Sequence, residues 1–266
     1  MQYTGGHHME EVLDAQRPHW EQMYAQHPEM LGLDPSEPAC KAVEMFKQEG
    51  IITILELGAG QGRDTFFFAR SGLQVCAVDY SERGVQAITS KAQALGLSQS
   101  VTAICHDIRQ PLPFDTAAFG GCYSHMLYCM ALTTAELDTL SGEIRRILQP
   151  GGINIYTVRN IHDAHYRQGI HRGEDMYEMG GFIVHFFSQE KIQQLAKGYE
   201  IVNVEVYEEG DLPRVTNTGH GAIRTTLSAT LPINTWVSPV RPWVPITIKS
   251  APLSLAVSIM AWKGTP

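Results

Sequence analysis

The chain has 266 residues, 44% hydrophobic and 18% charged, which supplies a sizeable buried core and excludes intrinsic disorder as its main state. Against 28 Asp and Glu stand 20 Lys and Arg, a net charge of −8 with no long cationic run, so a nucleic-acid backbone is not an expected partner. No apolar stretch reaches the roughly 20 residues that cross a bilayer, residues 1–14 lack a basic-then-apolar leader pattern, and the five cysteines lack a CxxC pair. These features predict a cytoplasmic protein with reduced core thiols and no membrane partner.

In chain order, 19–26 and 37–49 read as helices separated by the turn Leu33-Asp34-Pro35-Ser36, a cover of residues 1–50 ahead of a main domain at 51–266. From 51 to 160, short β-branched runs alternate with helical patterns. Strands are expected at 51–57, 73–80, 101–107, 120–127 and 153–159, with helices at 62–71, 82–95 and 134–148 between them. The alternation predicts an α/β fold, a Rossmann-like doubly wound and mostly parallel sheet with helices on both faces. Pro150-Gly151-Gly152 reads as the stop signal after the last of these helices. Residues 159–187 are polar and aromatic with almost no helix or strand period, and read as a substrate-pocket insertion. A helix at 190–197 and strands at 201–208 and 253–262 follow. Between those strands, residues 215–251 are longer than an ordinary loop and read as an extra loop or lid.

The most informative segment is Ile54-Leu55-Glu56-Leu57-Gly58-Ala59-Gly60-Gln61-Gly62-Arg63-Asp64, an apolar strand running into a glycine-rich turn that opens a helix. Backbone N–H groups and a helix N-terminus can approach a ligand closely there. A nicotinamide-type GxGxxG would need glycine at 63, where the chain has Arg63. The second strand ends at Asp79-Tyr80, with Asp79 lying 21 residues after Gly58, and a carboxylate at such a tip can accept from both ribose hydroxyls. The third ends at His106-Asp107-Ile108 and the fourth at Tyr123-Ser124-His125-Met126, preceded by Leu112-Pro113-Phe114-Asp115. Bland readings stand beside these: a tight turn for the glycines, a helix cap for Asp79 and a turn cap for Asp107.

Over about 54–160 this set resembles the class I S-adenosylmethionine (SAM)-dependent methyltransferases, whose first motif is an E-x-G-x-G-x-G loop. The resemblance implies SAM as cofactor, S-adenosyl-L-homocysteine as product, and a seven-stranded sheet whose last strand is antiparallel. It places Gly58, Ala59, Gly60, Gly62, Arg63 and Asp64 around the amino acid end of SAM, with Glu56 toward its cationic end or a backbone amide. Asp79 and Tyr80 fall at the ribose, Asp107 and the Ile108 N–H at adenine, and Ser124, His125 and Met126 at the fourth strand tip.

Methyl transfer needs alignment, desolvation and, for a hard nucleophile, removal of one proton. The reacting groups of a doubly wound sheet gather at the carboxyl ends of its strands, which points to His125, Arg159, His162, His165 and Tyr166 as catalytic candidates. His125 reads either as a general base or as a pocket-lining residue. The residues of 159–187, with His171, Tyr177 and His185, read as a polar pocket for a small acceptor or as a solvated loop. A metal reading through His162, His165 and Asp163 or Asp175 lacks a recognised ligand spacing, and no metal is expected. Trp20, Tyr24, Met30 and Leu31 read as a lid or as core, and Arg214 as a pocket residue or an ion-pair partner.

The Gly62-Arg63-Asp64 helix start and the N-terminal cover are similar to the small-molecule branch with tellurite-resistance and thiopurine methyltransferases, which implies a soft thiol or chalcogen acceptor. Two other readings stay open. One is an O- or N-methyltransferase of a metabolite or natural product using a His base, the other a non-catalytic SAM-binding protein. The expected partner is a small molecule, on a monomer or homodimer.

Overall fold

The computed structural model describes residues 12–209 and 253–261, so Arg214 and the expected lid at 215–251 lie outside the described residues. Two helices come first, α1 (Gln16–Gln26) and α2 (Glu37–Gln48). The start of α2 is fixed by Ser36, whose side chain accepts from the Ala39 N–H, with proline in the first turn where its missing N–H costs nothing.

The alternating unit then runs β1 (Thr53–Leu57), α3 (Arg63–Arg70), β2 (Gln74–Asp79), α4 (Glu82–Ala94), β3 (Val101–Cys105), β4 (Phe119–His125), α5 (Thr134–Ile147) and β5 (Leu148–Arg159). A reciprocal capping box sets the start of α5, with Thr133 and Glu136 each accepting from the other's backbone N–H. Pro150-Gly151-Gly152 does not separate helix from strand as the sequence suggested. It lies inside β5, where the pairing with β4 shifts register between Phe119 and Gly121.

Strands β1 to β5 are parallel and stand in the order β3-β2-β1-β4-β5. The order reverses at β1, which opens a crevice at the carboxyl ends of β1 and β4, the usual ligand position in such sheets. On the β5 side the sheet continues through β10 (Leu253–Ala261) to β9 (Glu200–Glu209), with β10 antiparallel to both neighbours. Between β5 and β9 lie a separate antiparallel sheet, β6 (Ile170–His171), β7 (Met176–Met179) and β8 (Phe182–His185), and a short helix, α6 (Gln189–Leu195). Residues 159–187 thus contain strands where no period was legible, because runs of two to four residues are too short to display one.

Both faces of the main sheet are covered. Leu55, Leu57, Val78, Leu137, Ile144 and Tyr156 belong to one core, and Ile54, Ala77, Phe46, Phe68, Ile88 and Tyr123 to the other. Four successive residues of β1 are therefore buried, as doubly covered parallel strands require, and one of them is the acid Glu56. The five cysteine thiols are free. No helix among the described residues is long and apolar enough to cross a membrane.

Candidate functional site

The loop after β1 is tied to its neighbour strand by the N–H groups of Gly58 and Ala59, which donate to the Val78 carbonyl at 2.8 and 3.1 Å. Gly58 has φ +71°, and a Cβ there would lie 2.9 Å from Leu127 Cβ, so a side chain at 58 is excluded on two counts. Gly62, read as a cofactor contact, has a different reason to be glycine. It caps α3 at φ +86°, and a Cβ would lie 2.7 Å from the Phe66 ring, in the core.

Asp79 closes the loop from the tip of β2. Its Oδ2 accepts the Gly60 N–H at 2.7 Å and its Oδ1 the Ser81 N–H at 2.9 Å. Burial pushes this carboxyl up to about 6, against the pull of those backbone donors. Glu56 accepts the Thr65 hydroxyl at 2.5 Å, and burial followed by the nearby Asp64 charge pushes it up to about 8. Arg63 and Asp64, expected at the amino acid end of SAM, turn to the protein instead. Arg63 Nε and Nη2 each donate to Asp64 at 3.0 Å, and Asp64 also accepts the Ser36 N–H at 2.8 Å and hydroxyl at 2.7 Å. Burial opposes the Asp64 charge, but Arg63 outweighs it and holds the carboxyl below its ordinary range. The pair staples the start of α2 to α3, and neither residue reaches the cavity wall.

That cavity, about 250 Å³, lies over the carboxyl ends of the strands. Gly58, Asp79, Tyr80, Asp107 and Ile108 line it on the β1, β2 and β3 side; His125, Met126, Arg159 and His165 line it on the β4 and β5 side. Its roof is α1. Gln16 joins this helix to β8, donating to the Gly181 carbonyl and accepting from the Ile183 N–H, both at 3.1 Å. Trp20 packs on Phe182 with ring centroids 4.7 Å apart, and Trp20, Tyr24, Met30 and Leu31 all face the cavity. Gln61 of the glycine loop accepts the Met30 N–H at 3.0 Å and so holds the chain after the roof helix.

Asp107 is already engaged. It accepts Arg109 Nη2 at 2.7 Å and Nε at 3.1 Å, and Arg109 reaches on to Asp14 at 2.6 Å. Burial works against the Asp107 charge, and the Arg109 bonds overcome it. Beside it, His106 Nε2 is buried with no hydrogen-bond partner among the described residues. A glycine-lined backbone loop, a strand-tip carboxylate held by backbone donors and an orphaned ring nitrogen are a donor and acceptor set that fits the amino acid, ribose and adenine parts of SAM.

At the tip of β4, His125 Nδ1 is 2.9 Å from Thr157 Oγ1, which also accepts the Met126 N–H at 2.9 Å. Burial, then the Arg63 charge, lowers His125 to about 3, so its imidazole is neutral at pH 7. Ser124 is fully buried behind it. At the tip of β5, Arg159 Nε and Nη2 donate to the two oxygens of Asp163 at 3.0 and 2.9 Å, and Nη2 lies 3.0 Å from His165 Nδ1.

The other expected pocket residues stand apart from the cavity. His162 is exposed. The Tyr166 hydroxyl donates to Asp175 at 2.8 Å, and its ring packs edge-on against Tyr177 at 5.7 Å. His171 Nε2 meets the Glu174 carbonyl at 2.8 Å. His185 is buried, with Nδ1 at 2.6 Å from the Leu132 carbonyl and Nε2 against Lys191. Tyr166 and His171 thus tie the insertion to itself, and His185 ties β8 to the segment after β4. Asp163 is committed to Arg159 and His165, and no group of three or more His, Cys, Asp or Glu among the described residues could hold a metal. Sequence reasoning missed Gln16, His106, Arg109, Met130 and Phe182 in the cavity wall. Only Arg109 carried a signal, an arginine two residues after a candidate acid.

The family described as Methyltransferase domain matches residues 54–152. A wheat (Triticum aestivum) phosphoethanolamine N-methyltransferase 1 is 28% identical over 130 residues, 44% of this chain. The chain spans about a quarter of the length of that curated relative, 25%. A SAM-dependent methyltransferase from Methanosarcina mazei shares the fold at 17% identity and TM-score 0.61, covering 86% of this chain and 98% of its own. So does the 1,6-didemethyltoxoflavin-N1-methyltransferase of Burkholderia thailandensis, solved with 1,6-didemethyltoxoflavin and S-adenosylhomocysteine bound, at 16% identity and TM-score 0.59, covering 99% and 93%. The glycine loop, the Asp79 tip, β1 from Ile54 on and β2 to β4 all lie within the residues that match the methyltransferase domain, and the solved structures share the fold.

Proposed function

We propose that the chain transfers a methyl group from SAM to a small-molecule acceptor. The observation that carries this reading is one roofed cavity in which the glycine loop and Asp79 meet the side chains at the tips of β4 and β5. In this reading Gly58, Ala59 and Gly60 hold the amino acid end of SAM, Asp79 and Tyr80 the ribose, and His106 to Ile108 the adenine. SAM supplies an electrophilic methyl carbon on a sulfonium. The chain's own task is to align it, exclude water under α1 and seat the acceptor toward β4, β5 and β8. The cover, over its described residues 12–50, and the insertion at 159–187 build the two sides of that chamber. The wheat relative is an N-methyltransferase by name, which supports a nitrogen acceptor. A second reading, a thiol or chalcogen acceptor, is supported by four thioethers in the wall, Met30, Met126, Met130 and Met179.

Methyl-labelled SAM incubated with thiols, selenite, tellurite, phenols and amines, with volatile and non-volatile products counted separately, tests the proposal. Label in either fraction is the expected result. Calorimetric SAM binding with no transfer to any of these would replace it with a non-catalytic SAM-binding role. The fold alone does not decide between the two, since a [4+2]-cyclase shares it at 21% identity and TM-score 0.53 over 70% of this chain and 74% of its own.

A further inference from the structure

Resting on the methyltransferase reading above, we propose that His165 is the base that removes the proton from a hydroxyl or amine nucleophile of the acceptor, with Asp163 and Arg159 as its positioning residues. After β5 the chain makes two consecutive turns, Asp163 N–H to the Asn160 carbonyl at 3.0 Å and Tyr166 N–H to the Asp163 carbonyl at 2.9 Å. They fold the Asp163 carboxylate inward until its side chain is 0% exposed. Oδ2 accepts Arg159 Nε at 3.0 Å, and Oδ1 accepts Arg159 Nη2 at 2.9 Å and the His165 backbone N–H at 2.8 Å. The same Oδ1 lies 3.1 Å from His165 Nδ1.

Two groups meet Nδ1: Asp163 Oδ1, which can only accept, and Arg159 Nη2, which can only donate. In the proposed arrangement the carboxylate holds a proton on Nδ1, the guanidinium being already committed to Asp163 through Nε and Nη2. Nε2 then keeps its lone pair, on a residue that lines the cavity. This is the arrangement by which a buried carboxylate orients an imidazole and stabilises the imidazolium that forms. Arg159 Nη2, 3.0 Å from Nδ1, defines the opposite tautomer, in which Nδ1 accepts from arginine and Nε2–H is a donor.

His125 lies in the same wall but does not suit the task. Thr157 Oγ1 accepts the Met126 N–H and has its own proton to give, and His125 Nδ1 is the acceptor in reach. That places the ring proton of His125 on Nε2, so the nitrogen left unprotonated is spent on Thr157.

In the step itself the acceptor's O–H or N–H proton passes to His165 Nε2. The electron pair released on oxygen or nitrogen forms the bond to the methyl carbon while the carbon–sulfur bond breaks, its pair staying on sulfur. The imidazolium is balanced by Asp163 and returns its proton to water. Met130, Leu132, Phe182 and Val184 wall the same cavity, which suits an acceptor with an apolar body and one such group.

Long-range proton–nitrogen NMR of the histidine rings in the protein without cofactor tests the tautomer directly. Expected is an Nδ1–H signal for His165 that changes to Nε2–H in Asp163→Asn; an Nε2–H signal in the unsubstituted protein would overturn the proposal. Turnover with labelled SAM and a panel of phenols and aromatic amines is the second arm. His165→Gln should lower kcat by about 100-fold or more, with the acceptor KM and the SAM Kd within threefold, the latter showing that the variant is folded. Unchanged kcat overturns His165 as base while leaving methyl transfer standing. Transfer to thiols or tellurite with none to phenols or amines does the same, and transfer to nothing overturns the function itself.

Discussion

Replacing Asp79 by Asn keeps the shape of the β2 tip and removes its charge, at a position where two backbone N–H groups already donate to the carboxylate at 2.7 and 2.9 Å. The side chain is 6% exposed, and its pKa, raised from 3.8 to about 6, records about 3 kcal/mol of burial cost that a bound ligand can relieve. Two ribose hydroxyls donating to the ionised oxygens favour the charged form, so binding pulls the pKa back down and releases a proton below pH 6. With a pKa of about 6 the ionised fraction falls from roughly 0.9 at pH 7 to roughly 0.1 at pH 5, so the Kd for SAM should rise about tenfold over that interval. In Asp79→Asn this part of the slope disappears, and the loss of charge-assisted bonds weakens binding by about 2 kcal/mol, roughly 30-fold. Glu56, pushed up to about 8 by burial and in part by the Asp79 charge, titrates above the interval from pH 5 to 6, so the difference between the two proteins is read there. Titration calorimetry of SAM at pH 5, 6, 7 and 8 on both proteins is the assay. A variant that binds within threefold of the parent, or keeps its full pH slope, would refute the ribose assignment.

Three further outcomes follow from the same geometry. Gly58→Ala must hold a side chain at φ +71° with its Cβ 2.9 Å from Leu127, so thermal unfolding should show a loss of about 1–2 kcal/mol and calorimetry a weaker SAM complex. Gln16→Ala removes both bonds that hold α1 to β8, and hydrogen exchange across 16–26 and 182–185 should quicken about tenfold or more, as loss of about 1–2 kcal/mol of local stability requires. His125 has a folded pKa of about 3 against 6.5, so the unfolded chain takes up a proton that the folded one refuses. Its contribution is complete above pH 6.5 and is lost as pH falls toward 3, by up to about 4 kcal/mol. Urea unfolding of the parent and of His125→Asn from pH 7 to 4 should therefore converge as the solution is acidified, and parallel curves would count against that shift.

Much of the fold was legible because its elements carried their own physical marks: β-branched residues in β1, β2, β3 and β5, Ser36, Ser81 and Thr133 as caps, and a glycine loop joining a strand to a helix. The cavity wall was legible where a residue's neighbours in sequence are also its neighbours in space, as at Gly58, Asp79 and Asp107, which all line it. It failed where the partner lies far along the chain. Arg63 and Asp64 look like ligand groups at a helix start until Ser36, 28 residues before Asp64, is folded against them. Tyr166 and His185 look like pocket residues until Asp175 and the Leu132 carbonyl take their polar atoms. Phe182 carried no chemical signal, and it enters the cavity wall through the docking of β8 beneath α1.

One pattern in the charges separates binding groups from scaffolding. Three acids near the strand tips, Asp64, Asp107 and Asp163, each hold an arginine one, two or four residues away, Arg63, Arg109 and Arg159. Each such pair fixes the path of a turn, and at Asp64 and Asp107 the arginine leaves little charge to offer a ligand. Glu56 and Asp79 have no ion-pair partner among the described contacts, and burial raises both. At pH 7 Glu56 keeps its proton, while Asp79 has given its own up and accepts from backbone N–H groups alone. Among the described residues Asp79 is thus a strand-tip carboxylate of the cavity wall whose charge no arginine cancels, bonded to the glycine loop at Gly60. In the proposed reading a cofactor bearing hydroxyls and positive charge gains most from that carboxylate, and Arg109, by occupying Asp107, leaves His106 and the Ile108 backbone to meet the adenine.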